Sequence, residues 1–158
     1  MPFWSSSAMR RILVKEDVCI GCRLCEVYCI LQHSQTRDIL KAFMREKPKP
    51  MARIIVEEEG PLSFGTQCAN CDEPACVYAC ISGALFRRGG SDGTVQLDEQ
   101  KCIGCWTCIA ACPHGAIQRS NGRSPTAVKC DMCFGADVPA CVANCPNEAL
   151  VLEGDEAA

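Results

Sequence analysis

Short runs of apolar and β-branched residues recur along the chain, separated by clusters of Gly, Asn, Ser, Asp and Pro. This pattern predicts short strands rather than long helices, and two neighbouring pairs of runs are joined by Gly-rich or Asn-Gly turns that indicate hairpins. The predicted strands are 11–14, 53–57, 84–86, 94–97, 116–118, 126–129 and 149–152.

One longer amphipathic helix is predicted over residues 36–47. Thr36 is suited to cap its start, and Pro48 ends it. Its apolar face comprises Ile39, Leu40, Phe43 and Met44. A separate basic stripe comprises Arg37, Lys41 and Arg45. This stripe is either a solvated surface or a docking surface for a partner.

Composition changes the picture, because 16 of the 158 residues are Cys and only 6% are aromatic. A chain this rich in thiols is held together by disulfides or by metals. The net charge of −3 lacks the basic excess of a nucleic-acid-binding protein. No apolar run approaches the ~18 residues of a membrane span.

The pair Arg10-Arg11 near the start of the chain resembles the twin arginines of an export signal. No apolar segment follows this pair, so we predict a cytoplasmic protein, whose thiols stay free or bind metal. Phe3 and Trp4 form a short apolar start, and we expect them to contact another chain.

The cysteines fall into four groups of four with none left over. The groups are Cys19, Cys22, Cys25, Cys29; Cys68, Cys71, Cys76, Cys80; Cys102, Cys105, Cys108, Cys112; and Cys130, Cys133, Cys141, Cys145. Groups one and three share the pattern C-I-G-C-x-x-C-x-x-x-C, and groups two and four share P-A-C-V-x-x-C. The alternation reveals an internal repeat of two cysteine-motif pairs.

Three cysteines at three-residue steps, followed by a fourth on a helix, are typical of [4Fe–4S] ligation, in which the fourth Cys binds a neighbouring cluster. All sixteen cysteines are therefore candidate metal ligands, and four [4Fe–4S] clusters are predicted. A zinc-bound structural or interaction module is the alternative from another class, but zinc sites usually pair two separated C-x2-C knuckles. A disulfide scaffold would need an oxidising compartment.

On these motifs, over about residues 12–152, the chain resembles the four-cluster ferredoxin-like electron-transfer subunits of multisubunit oxidoreductases. That family includes the iron–sulfur subunits of dimethyl sulfoxide reductase and formate dehydrogenase. It also includes small members that serve carbon monoxide dehydrogenase, hydrogenases and tungsten aldehyde oxidoreductases. Cys29 and Cys80 depart from the simple ferredoxin pattern, because Ile rather than Pro follows each of them.

The resemblance implies nested motifs, so that the first pairs with the fourth and the second with the third. The implied ligand sets are set A (Cys19, Cys22, Cys25, Cys145), set B (Cys29, Cys130, Cys133, Cys141), set C (Cys68, Cys71, Cys76, Cys112) and set D (Cys80, Cys102, Cys105, Cys108). A plain tandem, pairing one with two and three with four, is the alternative. The 21-residue gap between groups two and three favours nesting.

The predicted fold is therefore α+β, with two nested bacterial-ferredoxin-like units. Residues 12–29 with 121–152 form the outer unit, and 62–120 form the inner unit. Residues 30–61 are an inserted helix and linker, and 1–11 are an N-terminal extension.

The predicted function is one-electron transfer, because every Cys is assigned to a cluster and no catalytic constellation can be built from two histidines. The resemblance implies a large catalytic oxidoreductase subunit as one partner and a second redox subunit or carrier as the other. Self-association is left open. A freestanding polyferredoxin is the alternative. His114 is expected at the surface, and Trp106 is expected to shield a cluster from water.

Overall fold

The computed structural model describes residues 10–89 and 93–154. Phe3 and Trp4, expected to contact another chain, lie outside these residues. The described chain forms strands β1 (Arg11–Val14), β2 (Ile54–Glu59), β3 (Leu62–Gln67), β4 (Leu85–Arg87), β5 (Val95–Leu97), β6 (Gln118–Arg119), β7 (Ala127–Val128) and β8 (Leu150–Glu153). Its helices are α1 (Leu24–Gln32), α2 (Ile39–Met44), α3 (Ala75–Tyr78), α4 (Thr107–Ala111) and α5 (Ala140–Ala143). This is a small mixed fold of helices and strands.

The strands pair as two-stranded antiparallel sheets, three of which are local hairpins. β2 pairs with β3, β4 with β5, and β6 with β7. The remaining pair joins the two ends of the described chain, because β1 lies beside β8 with Arg11 opposite Glu153 and Val14 opposite Leu150. Both hairpins expected from the turn residues are present.

The buried residues form two separate clusters. The first joins Ile12 of β1, Ile54 of β2 and Leu150 of β8 with Met132 and the thiols Cys29, Cys130 and Cys141. The second joins Leu85 of β4, Val95 of β5 and Ala127 of β7 with Ile117 and the thiol Cys108. Further cysteines pack partly buried against each cluster. Cysteine sulfurs therefore contribute to both cores.

The predicted helix over 36–47 is shorter in the structure, and it is not the longest helix of the described chain. α2 covers only Ile39–Met44, and the longest described helix is α1, with nine residues. Asp38, not Thr36, caps α2, because its side chain accepts a hydrogen bond from the backbone N–H of Lys41 at 3.0 Å. Thr36 instead donates its hydroxyl to Glu46 at 2.6 Å, which holds the preceding residues in a loop.

The structure also contains a strand that the sequence pattern did not predict. β3 pairs along its whole length with β2, which is displaced by one residue from the predicted strand and extended to Glu59. Among the described residues, no helix combines the length and apolarity needed to span a bilayer.

Candidate metal centres

All sixteen cysteines are free thiols in the structure. None is bonded to another, although many lie close together in space. The structure therefore offers sulfur ligands rather than a disulfide scaffold.

The residue before the second Cys of each group has a left-handed backbone conformation. Its φ is 64° at Gly21, 47° at Asn70, 67° at Gly104 and 58° at Met132. Positive φ is uncommon outside Gly, so four occurrences at equivalent positions indicate a shared requirement. The conformation curls each C-x2-C loop around a common centre.

The last Cys of each group lies within or just after a helix. Cys29 is inside α1, Cys112 ends α4, and Cys80 and Cys145 follow α3 and α5. Three of these sulfurs accept backbone N–H groups: Cys29 from Arg53 at 3.2 Å, Cys80 from Leu85 at 3.4 Å and Cys145 from Ala149 at 3.2 Å. Such hydrogen bonds stabilise negative charge on sulfur, as expected for ligands of an iron–sulfur cluster.

Four cysteines from two motifs line one narrow cavity. These are Cys80 of the second motif and Cys102, Cys105 and Cys108 of the third. Apolar side chains complete its wall, including Ile103 and Trp106. The Arg119 guanidinium lies 5.2 Å from the centre of the Trp106 ring, which holds the ring in place. Trp106 thus stands where it can exclude water.

A second cavity has the same construction. Cys19, Cys22, Cys25 and Cys145 line it. Ile20 and Val56 supply apolar wall. Each of the two cavities therefore receives three sulfurs from one motif and one from another.

Of the remaining eight cysteines, Cys29, Cys130 and Cys141 lie together in the first buried cluster, and the thiols also affect one another's pKa values. Burial raises the pKa of Cys141, and the thiols of Cys130, Cys29 and Cys133 raise it further. Burial likewise raises the pKa of Cys76 to about 11, with Cys68 and Cys112 acting in the same direction. The pKa of Cys71 is raised by burial and by the same two neighbours.

These thiols fit a metal cluster by their chemistry. A buried thiol with a raised pKa, such as Cys130 at about 12, is protonated at neutral pH unless a cation replaces its proton. Iron binding takes that role, because metal ligation requires the thiolate. The backbone N–H groups aimed at sulfur, among them Met132 to Cys130 at 3.4 Å, are ready to stabilise the resulting charge.

A charged triad adjoins the cysteines around Cys29. The Asp131 carboxylate contacts Arg53 at 2.6 Å and His33 at 3.1 Å, and it accepts the backbone N–H of Cys133 at 3.0 Å. Burial lowers the pKa of His33, but hydrogen bonds with Asp131 and Cys29 outweigh it and raise that pKa to about 9. His33 Nδ1 lies 3.7 Å from Cys29 Sγ.

Sequence reasoning overlooked this triad, since its members are widely separated in the chain. It also overlooked Lys129, a buried basic residue directly before Cys130. From the sequence alone, a Lys before a cysteine motif cannot be told apart from an exposed surface Lys. His114, in contrast, is exposed as expected.

The sequence profile of the 4Fe-4S dicluster domain matches residues 61–155. The electron transport protein HydN of Escherichia coli (strain K12) is 35% identical, over 90% of this chain and 86% of that protein. The AegA protein of the same strain is 34% identical over 94% of this chain, which spans only 22% of AegA. In fold, the chain resembles the active-site complex BamBC of benzoyl coenzyme A reductase, with a TM-score of 0.50, 24% identity and coverage of 91% of this chain and 76% of that one.

Proposed function

The chain belongs to the 4Fe-4S dicluster domain family and is an iron–sulfur electron-transfer protein, and from this premise we propose that it carries four [4Fe–4S] clusters. When bound, each cluster supplies a one-electron redox centre. The chain would connect a catalytic oxidoreductase subunit with a second redox subunit or carrier. A tungsten aldehyde oxidoreductase or a carbon monoxide dehydrogenase is the catalytic partner we favour.

The grouping of cysteines around two cavities is the observation that carries the proposal. The cavity lined by Cys19, Cys22, Cys25 and Cys145 contains the four members of set A and no other Cys. The cavity with Cys80, Cys102, Cys105 and Cys108 contains the four members of set D and no other. Among the remaining thiols, Cys29, Cys130 and Cys141 of set B share the first buried cluster. The pKa values of Cys71 and Cys76 are raised by burial and by their set C neighbours Cys68 and Cys112.

Strand pairing and the two cores support the nested arrangement. β1 precedes the first motif and pairs with β8, which follows the last motif. The first buried cluster joins Ile12 and Cys29 near one end of the described chain with Cys130, Met132, Cys141 and Leu150 near the other, and it includes Ile54. The second cluster draws on residues from Leu85 to Ala127 in the middle of the chain. We therefore propose an outer unit of 12–29 with 121–152, an inner unit of 62–120, and 30–61 as an insertion. A plain tandem would not require β1 to meet β8.

Packing between sets indicates their order. Cys25 and Cys145 of set A pack against the first buried cluster, which contains Cys29, Cys130 and Cys141 of set B. Cys68 of set C packs against the same cluster, which connects set B to set C. Sets C and D share the inner core, so the order A, B, C, D follows.

The cysteines of sets A and D, at the two ends of the order, include exposed residues, whereas those of set B are buried. Cys22 of set A and Cys105 of set D are exposed, whereas Cys130, Cys133 and Cys141 of set B are buried. Ile20 and Ile103, beside the two exposed cysteines, are 64% and 65% exposed. Electrons would enter and leave at these two ends, where apolar side chains are available to contact partners.

Two measurements test the count and the partner. Anaerobically purified protein should contain about sixteen irons and sixteen acid-labile sulfides per chain. Stoichiometric zinc would instead support a structural or interaction module. Co-purification with a large catalytic subunit would support the subunit role, and a chain that is always isolated alone would support a freestanding polyferredoxin.

Double substitutions test the ligand sets. The single variant Cys29→Ser should lose about four irons per chain, which is one cluster. The double variant Cys29→Ser/Cys130→Ser should lose no more than that, because both residues are proposed to ligate the same cluster. The double variant Cys29→Ser/Cys19→Ser should lose about eight irons per chain, since these residues are proposed to ligate different clusters. The opposite pattern would show that Cys29 belongs with its own motif and would refute the nesting.

A further inference from the structure

A buried lysine lies among the cysteine sets. Lys129 follows β7 and precedes Cys130, and only 3% of its surface is exposed. Lys is almost never fully buried unless its charge is paired. Its partners therefore identify the role of the side chain.

The hydrogen-bond partners of Lys129 are neutral. Its Nζ donates to the carbonyl oxygens of Val95 and Cys130, the latter at 2.6 Å. The nearest acidic residue in sequence, Asp131, is already engaged by Arg53 and His33. Within residues 10–89 and 93–154, no carboxylate lies within ion-pair distance of this ammonium.

Lys129 lies beside cysteine loops of two sets. Its Nζ donates to the carbonyl oxygen of Cys130, a residue of set B. Val95, whose carbonyl oxygen also accepts from Nζ, donates its backbone N–H at 3.1 Å to Asn70 Oδ1, and Asn70 lies between Cys68 and Cys71 of set C. In line with this position, the Lys129 charge acts to lower the pKa of Cys130 and of Cys76, against the effect of burial.

Burying an ammonium group without a counter-charge is strongly unfavourable. Two carbonyl oxygens accept from two of its three N–H groups but leave its charge uncompensated. Thiolates that hold a cluster would provide that compensation from both sides, because an oxidised [4Fe–4S] centre with four thiolates carries roughly two negative charges.

We propose that Lys129 is the shared counter-ion of the clusters held by sets B and C, and that its charge raises the reduction potentials of both. The inference rests on the proposed function. Reduction by one electron adds a negative charge and moves no proton, so a fixed positive charge nearby favours the reduced state. Lys129 is a positioning and tuning residue, since it ligates nothing.

The test compares Lys129→Met and Lys129→Gln with wild type. Both substitutions remove the charge, and Gln retains a hydrogen-bond donor. In an anaerobic redox titration followed by electron paramagnetic resonance, two of the four centres should shift to lower potential in each variant, and two should stay unchanged.

Lys101→Met is the matched control. Lys101 directly precedes Cys102 as Lys129 precedes Cys130, but its side chain is 63% exposed and lies 3.4 Å from Asp98. Water screens its charge, so this substitution should leave all four potentials in place.

Iron content separates the two ways in which the experiment can fail. Wild-type protein with far fewer than about sixteen irons would contradict the proposed function itself. A fully loaded Lys129→Gln variant with four unchanged potentials would refute only the counter-ion role. Lys129 variants whose reduction potentials shift no more than those of Lys101→Met would also refute the counter-ion role.

Discussion

At the scale of single residues, the four cysteine loops require a backbone conformation that L-residues avoid. Gly21 and Gly104 meet this requirement without a Cβ, and Asn tolerates it at position 70. Met132 adopts it nevertheless, and the packing of its side chain, which is 2% exposed, offsets the local strain. The two glycines and the Asn are recognisable from sequence, whereas Met132 is not, because tertiary packing decides its conformation.

Gly104→Ala should destabilise the loop of the third motif. The left-handed conformation costs a residue with a Cβ about 1–2 kcal/mol. The added Cβ would also lie 2.9 Å from the carbonyl oxygen of Pro125, a backbone atom that cannot move aside cheaply. We expect a lower thermal midpoint and partial loss of iron, measured on anaerobic protein.

Gly122→Ala is the control for this substitution. Gly122 lacks a positive φ, and the nearest atom to its added Cβ is 4.0 Å away. If both variants kept the same iron and the same midpoint, the left-handed position would be dispensable.

At the scale of elements, β3 shows where sequence patterning fails. Its inward residues include Ser63 and Gln67, while Leu62 is 54% exposed. Ser63 donates to the carbonyl of Cys19 at 3.0 Å and Gln67 to that of Ile12 at 3.0 Å, so the buried face is polar. A strand that buries hydrogen-bonding side chains does not show the apolar alternation on which the predictions relied. The other strands, most of which bury apolar side chains, were located to within two residues.

α2 presents an apolar face that is open within the described residues. Its side chains are exposed by 50% at Ile39, 69% at Leu40, 39% at Phe43 and 76% at Met44. The sequence correctly identified this face but took it for part of a longer helix. The surrounding segment 30–53 contains six basic and two acidic residues, on a chain whose net charge is −3.

Reversing Lys41 and Arg45 to Glu should therefore slow electron transfer to a partner with an acidic surface. Basic charge on this segment would attract such a partner before contact, most strongly at low salt. We expect a lower association rate and a flatter salt dependence in stopped-flow electron transfer, with unchanged iron content.

The double reversal Lys15→Glu/Arg123→Glu makes the same change of charge at exposed positions elsewhere. It should leave the rate closer to that of wild type. Equal effects of the two double variants would show that only the total charge matters, and α2 would then be an ordinary solvated surface.

At the scale of the whole molecule, thiols take the place of a conventional core. Three of the seven buried residues in the first cluster are cysteines: Cys29, Cys130 and Cys141. The number and spacing of cysteines were sufficient to predict the chemistry. The nesting instead came from resemblance to a family, because strands of two to six residues carry too little pattern to specify their partners.

Removal of iron by oxidation in the presence of a chelator should unfold the chain. Without iron, the buried thiols retain their protons and the two apolar clusters are too small to hold the fold. Circular dichroism should lose its native signal in parallel with the iron absorbance. A native spectrum that survives complete iron loss would show that the polypeptide is stable by itself.

The pairing of β1 with β8 has a consequence for how this architecture can be reused. Arg11 and Glu153 lie opposite each other, so the polypeptide enters and leaves the fold at one place. A host protein can accept such a unit within a surface loop without separating the ends of that loop. By the same geometry, a short linker from β8 to β1 would permit circular permutation, with new termini opened at the β6–β7 turn.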